Sequence, residues 1–157
     1  MSTGPEPVNP RVLEVFSRLF VSLPHCLALG ISHIGTEGCK PTLKIDWRED
    51  LVGNPLRGVI HGGAITTLVD TCSAIAVAAQ LDDFETIATL DLRIDYLKAA
   101  TPGRTIYCTA ECYRLARQVA FTRAVCFHDD INQPIAHGIA TFMRESSPQP
   151  MLLEGGQ

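Results

Sequence analysis

One stretch of the chain constrains its fold more than any other. From Gly62 to Leu81, Asp70 is the only charged residue, and alanine is the commonest of the others. Twenty residues could cross a bilayer by length alone, but paired glycines, several Thr and Ser residues and the acid argue against a membrane span. The stretch predicts a helix over about 64–80 that is apolar around most of its circumference. Other parts of the protein must cover such a helix on nearly all sides, and we expect no membrane association.

The residues around this helix predict the sheet that covers it. Strand patterns cover 29–36 and 40–47 before the helix, and 86–97, 105–114, 119–128 and 134–144 after it. Short turns join the last four, which is typical of antiparallel strands. In 86–97, strict alternation places Thr89 and Asp91 on the polar face. The order predicts an α+β fold, a curved antiparallel sheet wrapped around one long buried helix.

The two ends of the chain are predicted to carry less of the core. Asn9 is a candidate N-cap and Pro10 a first helical residue for an amphipathic N-terminal helical segment (1–23), which Pro24 is expected to end. The tail, 146–157, is rich in proline and glycine, and we expect it to be flexible. Residues 1–157 show no internal repeat and are predicted to form a single domain.

Composition and charge exclude several function classes. A net charge of −4 offers no basic surface for nucleic acid. The six cysteines form no CxxC pair, and the five histidines never fall at metal-binding spacing, so we expect reduced thiols and no metal site. The first ten residues lack the charged start and apolar core of a secretory leader, and we expect a cytoplasmic protein.

Two features of the long helix form a candidate site. Taken alone, Asp70 is better explained as a helix acid that reaches water or bonds a neighbour such as Thr66, Thr67 or Ser73. Taken alone, His61-Gly62-Gly63 is better explained as a tight turn into the helix. Together they favour an acyl-transfer site, because free N–H groups at a helix start suit a developing oxyanion and an unpaired core acid is a functional candidate.

The spacing of the two features predicts a dimer. Gly62 and Asp70 are eight residues apart, about 12 Å along a helix, whereas reacting groups must approach to about 3 Å. The acid that serves one helix start is therefore expected from another subunit. Two antiparallel copies of the helix across a two-fold axis would create two equivalent sites, so the pattern argues for an obligate homodimer.

At this point the sequence resembles the hotdog-fold thioesterase superfamily, in particular its phenylacetic-acid-degradation and 4-hydroxybenzoyl-CoA thioesterase-like branch. The resemblance rests on 58–64 (Gly-Val-Ile-His-Gly-Gly-Ala), Leu68-Val69-Asp70, the strand segment 89–97 and the later segment 117–123. It covers roughly residues 30–144. It implies a hotdog fold, hydrolysis of an acyl-CoA thioester without a cofactor, and a homodimer that often pairs into a homotetramer.

The resemblance also implies roles for individual residues. The Gly62 N–H would polarise the thioester carbonyl, and Asp70 of the partner subunit would act as general base on water or as nucleophile. His61 would shape the helix start, Asn54 would help to hold the carbonyl, and Thr89 would help to position water. Further candidates for contacts with the substrate or its CoA group are Gly63, Arg93, Arg117 and Gln118, although a solvated strand face or turn explains the last three equally well.

Two other functions use the same residues. A non-catalytic acyl-CoA binding protein would keep the pocket without turnover. A hydratase or dehydratase of the same fold would need a catalytic His and acid together on the helix, and no His follows Asp70 nearby. The pattern leaves the acyl group open, aromatic or aliphatic, and does not decide between dimer and tetramer.

Overall fold

The computed structural model describes residues 5–145. The helices are α1 (Pro10–Val21), α2 (Pro24–Leu29) and α3 (Gly62–Ala78). The strands are β1 (Ser32–Glu37), β2 (Lys40–Ile45), β3 (Val52–Asn54), β4 (Val59–Ile60), β5 (Thr86–Tyr96), β6 (Ile106–Leu115), β7 (Val119–Phe127) and β8 (Ala136–Glu145). The predicted tail, 146–157, and the first four residues of the N-terminal segment lie outside the described residues.

Six strands form one antiparallel sheet in the order β1-β2-β6-β7-β8-β5. The three hairpins β1–β2, β6–β7 and β7–β8 join neighbours in sequence, whereas β5 crosses over to pair with β8. That crossover leaves β5, the longest strand, at one edge of the sheet. The small hairpin β3–β4 stands apart and leads directly into α3.

The sheet wraps around α3, which contacts five of its strands (β2, β5, β6, β7 and β8). Leu68, Val69 and Ile75 of this helix are completely buried against sheet residues such as Leu43 and Ile106. Alanine is frequent in α3 because a small side chain lets the sheet approach from several directions. The predicted α+β architecture, with an antiparallel sheet around one long helix, is confirmed.

The surrounding elements leave one side of α3 partly exposed. Every residue of the helix is buried except Gly62, Gly63, Thr66, Thr67 and Asp70. These positions recur at the three- and four-residue spacing of one helix face. The N-terminal two turns of α3 therefore present a partly exposed polar face, which the near-complete burial predicted from sequence did not include.

The N-terminal segment differs from its prediction at Pro24. We expected Pro24 to end the helix and a strand to begin at Leu29, but Pro24 starts α2, and β1 begins only at Ser32. Proline is accepted at the first position of a helix because its missing N–H has no partner there in any case. Gly30, with φ of +71°, then ends α2 in the left-handed conformation that glycine adopts easily.

Helix length and composition also bear on membrane association. Among the helices of residues 5–145, none combines the length and the apolar character that crossing a bilayer requires.

Candidate active site

His61 fixes the start of α3. It occupies the N-cap position, and its ring Nδ1 accepts a hydrogen bond from the Gly63 N–H at 2.9 Å. The Ala64 N–H donates to the His61 carbonyl at 3.0 Å. Within the described residues the Gly62 N–H donates to nothing. Of the paired glycines, Gly62 is therefore the one that offers a free N–H at the positive end of the helix, while the N–H of Gly63 is already used.

Tyr96, at the end of β5, holds Gly62 in place. Its hydroxyl donates to the Gly62 carbonyl at 2.8 Å, and the Thr66 hydroxyl donates to the same oxygen at 3.0 Å. A Cβ atom on Gly62 would lie 3.0 Å from the Tyr96 hydroxyl oxygen, so glycine permits this close approach. Sequence reasoning missed Tyr96 as a site residue.

A pocket of about 390 Å³ lies beside the helix start. Its walls come from the end of β4, the first turn of α3 and the segment that follows β5, and comprise Val59, Ile60, Gly62, Ile65, Tyr96, Leu97, Lys98, Ala99 and Ala100. In the part of the chain that the structure describes, the Lys98 ammonium forms no ion pair. The start of α3 therefore opens onto a mainly apolar pocket with the Lys98 ammonium at its wall.

Asp70 lies two turns further along α3 and has a partner in its own chain. The Thr89 hydroxyl donates to Asp70 Oδ1 at 2.8 Å. Asp70 is half-buried rather than enclosed, so the expectation of a buried acid without a partner is wrong. The carboxylate is oriented by Thr89 and remains accessible from the exposed face of α3.

A bulge in β5 explains why Thr89 reaches the helix. The pairing of β5 with β8 shifts register between Thr89 and Asp91, so Leu90 is an extra residue and is 57% exposed. Strict alternation had placed Thr89 on the polar face with Asp91, and this placement is wrong. Ile87 and Thr89 before the bulge, and Leu92 and Ile94 after it, therefore share the face of β5 that is turned towards α3. Thr89 itself remains exposed on that face.

Within one chain, the Gly62 N–H and Asp70 do not meet. Both lie on α3, and eight residues of helix separate them by about 12 Å. The structure therefore places two candidate half-sites on one helix face. One is a donor at the helix start, and the other is an oriented carboxylate near its middle.

The remaining predicted residues lie away from both half-sites or face solvent. Asn54 ends β3 with its side chain exposed, and the residue packed against His61 is its neighbour Gly53. Arg93 pairs with Asp95 at 3.0 Å on the exposed face of β5. Arg117 and Gln118 form the β6–β7 turn, near the start of β5, whereas the helix start lies near its end.

The six cysteines are all free, and five are buried, as the sequence predicted, while Cys112 is half-buried. The pKa of the Cys108 thiol is raised well above its usual range by hydrogen bonds with the Cys126 and Cys72 thiols, and further by burial. The Cys108 thiol is therefore held in its protonated form, which is not the nucleophilic form. Among residues 5–145, no group of three His, Cys, Asp or Glu side chains is placed to hold a metal ion.

A six-stranded antiparallel sheet wrapped around one long helix, with a glycine-rich helix start and an acid two turns on, defines the class of hotdog-fold thioesterases. The chain belongs to the thioesterase superfamily, whose family model matches residues 57–135, just over half of its length. It is accordingly an enzyme that hydrolyses thioesters.

Individual relatives agree with this assignment. The medium/long-chain acyl-CoA thioesterase YigI of Salmonella typhimurium is 29% identical over 147 residues, which cover 85% of this chain and 94% of YigI. A crystal structure of a Pseudomonas aeruginosa protein is 45% identical, with a TM-score of 0.76, and covers 85% of this chain and 99% of that chain. The PaaI protein from the Escherichia coli phenylacetic acid degradation operon, 18% identical, shares the fold, with a TM-score of 0.75 over 87% of this chain and 96% of PaaI.

Proposed function

We propose that the protein hydrolyses acyl-CoA thioesters at a site shared between two subunits. The family assignment gives thioester hydrolysis, and the name of the relative YigI supports acyl-CoA as the substrate class. The observation that carries the shared site is the separation of a free Gly62 N–H from the Thr89-oriented Asp70 by about 12 Å on one face of α3.

In the proposed reaction, the Gly62 N–H of one protomer binds the thioester carbonyl oxygen. Asp70 of the partner subunit takes a proton from water as the water oxygen attacks the carbonyl carbon. The negative charge that develops on the carbonyl oxygen is stabilised by the Gly62 N–H and the helix dipole. The carbon–sulfur bond then breaks, the carbonyl reforms as the acid, and the proton passes to the leaving CoA sulfur. Direct attack by Asp70, with an anhydride that water then hydrolyses, is the alternative order of steps.

Two features of the chain support an antiparallel pair of helices. The exposed face of α3 carries both half-sites, Gly62 and Asp70, and only small or short polar side chains between them, so a second helix could approach it closely. The edge strand β5 has unpaired backbone groups, which favour pairing with another strand, and its exposed apolar residues Leu90 and Tyr96 would gain cover. Association of two such dimers into a tetramer stays a prediction, as do the absence of a cofactor and the cytoplasmic location.

The test compares wild type with Asp70→Asn and Asp70→Ala in a thiol-release assay over aromatic and aliphatic acyl-CoAs. Asparagine has nearly the shape of aspartate and can still accept from Thr89, so the fold and acyl-CoA binding should persist while turnover is lost. Circular dichroism and calorimetric titration check those two properties. Turnover by Asp70→Asn at the wild-type rate would contradict the proposal, as would wild-type binding of acyl-CoA without thiol release.

A further inference from the structure

A second apolar pocket lies beside the start of β5, the strand that carries Thr89. It has a volume of about 180 Å³ and is formed between α1 and the start of β5 by Phe16, Leu19, Phe20, Phe84, Glu85, Thr86 and Ile87. The Phe16 and Phe84 rings stack with their centres 6.0 Å apart, and Phe20 lies 5.2 Å from Phe16. Three aromatic rings thus surround a small cavity that the reaction steps proposed above do not use.

Two elements, β5 and α3, lead from the Asp70 half-site to this pocket. On β5, Ile87 is two residues before Thr89 and faces the same way, because the bulge lies beyond Thr89. On α3, Ala74 is one turn beyond Asp70 and belongs to the same core cluster as Phe16, against which Ile87 and Phe84 pack. A chain held at Asp70 would therefore meet apolar side chains of α3 and β5 between Asp70 and the pocket.

The pocket beside Gly62 and the pocket between α1 and β5 differ in charge. The pocket beside Gly62 carries the Lys98 ammonium, which forms no ion pair within residues 5–145. The pocket between α1 and β5 has one charged residue, Glu85, whose carboxylate is paired with Arg144. Both side chains are mostly buried, at 12% and 15% exposed. The first suits the phosphate-bearing CoA, and the second suits a group with neither charge nor hydrogen-bonding atoms.

We infer that the pocket between α1 and β5 (Phe16, Leu19, Phe20, Phe84 and Ile87) binds the acyl chain and selects medium-length aliphatic chains. The inference rests on the proposed function and assigns its substrate class. A thioester carbonyl at Thr89 is about 7 Å from Ile87 along the strand, roughly five carbon–carbon bonds of an extended chain. An aryl group attached directly to the carbonyl would stop short of the pocket, whereas an aliphatic chain would enter it.

The volume of the pocket limits the length of the acyl chain that it can hold. An apolar cavity of about 150 Å³ takes up one benzene molecule, so a pocket of about 180 Å³ accommodates roughly six carbons. With about five carbons needed to reach its mouth, the preferred acyl chain has about eight to twelve carbons. Longer chains would have to leave the pocket, and shorter ones would not reach the aromatic rings.

The experiment measures kcat/KM for a series of straight-chain acyl-CoAs with wild type, Leu19→Trp and Phe84→Ala. Leu19 lies at the pocket wall and is 42% exposed, so a tryptophan there can narrow the pocket without entering the core. We expect Leu19→Trp to lower kcat/KM for decanoyl-CoA by about tenfold or more and to leave butyryl-CoA nearly unchanged. Phe84→Ala should move the optimum to longer chains.

The control is Ile131→Trp, because Ile131 has nearly the same exposure, 43%, and lies in the β7–β8 turn away from the pocket. It should keep the wild-type chain-length profile. Profiles of Leu19→Trp and Phe84→Ala that superimpose on wild type overturn the pocket assignment while the proposed function stands. Failure of wild type to hydrolyse any acyl-CoA overturns the proposed function itself, and this inference with it.

Discussion

Replacing Thr89 with valine removes the hydroxyl that orients Asp70 and changes the shape of the side chain very little. The bond is 2.8 Å long and its acceptor is a carboxylate, and hydrogen bonds to charged groups contribute about 1.5–3 kcal/mol. Because Asp70 is only half-buried, water replaces part of that contribution, and the low end of the range applies.

We expect the loss of this hydrogen bond to raise the activation barrier by the same amount, because Asp70 must be oriented when it takes the proton from water. Each 1.36 kcal/mol of barrier is about tenfold in rate, so kcat should fall roughly tenfold in Thr89→Val. The loss should appear in kcat rather than KM, because Thr89 contacts Asp70 and lines neither of the two apolar pockets. Steady-state thiol release with one good acyl-CoA measures both parameters.

Two matched variants isolate the hydroxyl. Thr89→Ser keeps it and should retain most of the wild-type kcat. Thr141→Val makes the same exchange on the adjacent strand β8 and should match wild type, because within residues 5–145 the Thr141 hydroxyl forms no hydrogen bond with its cross-strand neighbour Asp91 or with another acid. Thr89→Val with an unchanged kcat, or Thr89→Ser as slow as Thr89→Val, would refute the role of this hydrogen bond.

Two further predictions concern catalysis and acid stability. Tyr96→Phe removes one of two hydroxyls that donate to the Gly62 carbonyl, so kcat should fall by about fivefold; no change would show that Thr66 alone holds the helix start. The pKa of Glu111 is lowered, chiefly by its hydrogen bond with Lys40, so its contribution to stability is complete above pH 4.5 and is lost as pH falls through the lowered value. Thermal melts on both sides of pH 4.5 should therefore show a shallower acid-side decline in Glu111→Gln than in wild type, and equal declines would contradict this reasoning.

The sequence predicted the parts of the fold that depend on local pattern. The long helix, the antiparallel strands and the free cysteines follow from apolar periodicity, short turns and the absence of paired cysteine motifs. The hairpin β3–β4 was missed because its strands are two and three residues long, too short for a period to appear. The α1–α2 break was missed because Pro24 can either end one helix or start another.

The candidate site could be predicted less completely than the fold, because several of its contacts join residues that are distant in the sequence. His61, Gly62 and Asp70 could be chosen from spacing and residue type alone, and their roles remain predictions. The contact between Thr89 and Asp70 could not be derived from alternation, because a single-residue bulge reverses which face a side chain occupies. Tyr96 meets Gly62 from a strand 34 residues later in the chain, a contact that no local pattern records.

Each site is proposed to combine residues of two protomers, and complementation between inactive chains tests this arrangement. Gly62→Pro removes the N–H donor. His61 already has the extended backbone, φ −61° and ψ 134°, that a residue before proline prefers, and proline is accepted at the first helical position. Gly62→Ala is the control, since it crowds the Tyr96 hydroxyl at 3.0 Å but keeps the donor.

Gly62→Pro and Asp70→Asn chains, each inactive alone, are refolded together, and heterodimers are isolated through two different affinity tags. One of the two sites then combines an intact helix start from one chain with an intact acid from the other. We expect about half of the wild-type activity per dimer, carried by that one restored site. Verified heterodimers without activity would contradict it, because a site contained within one chain cannot be restored by mixing.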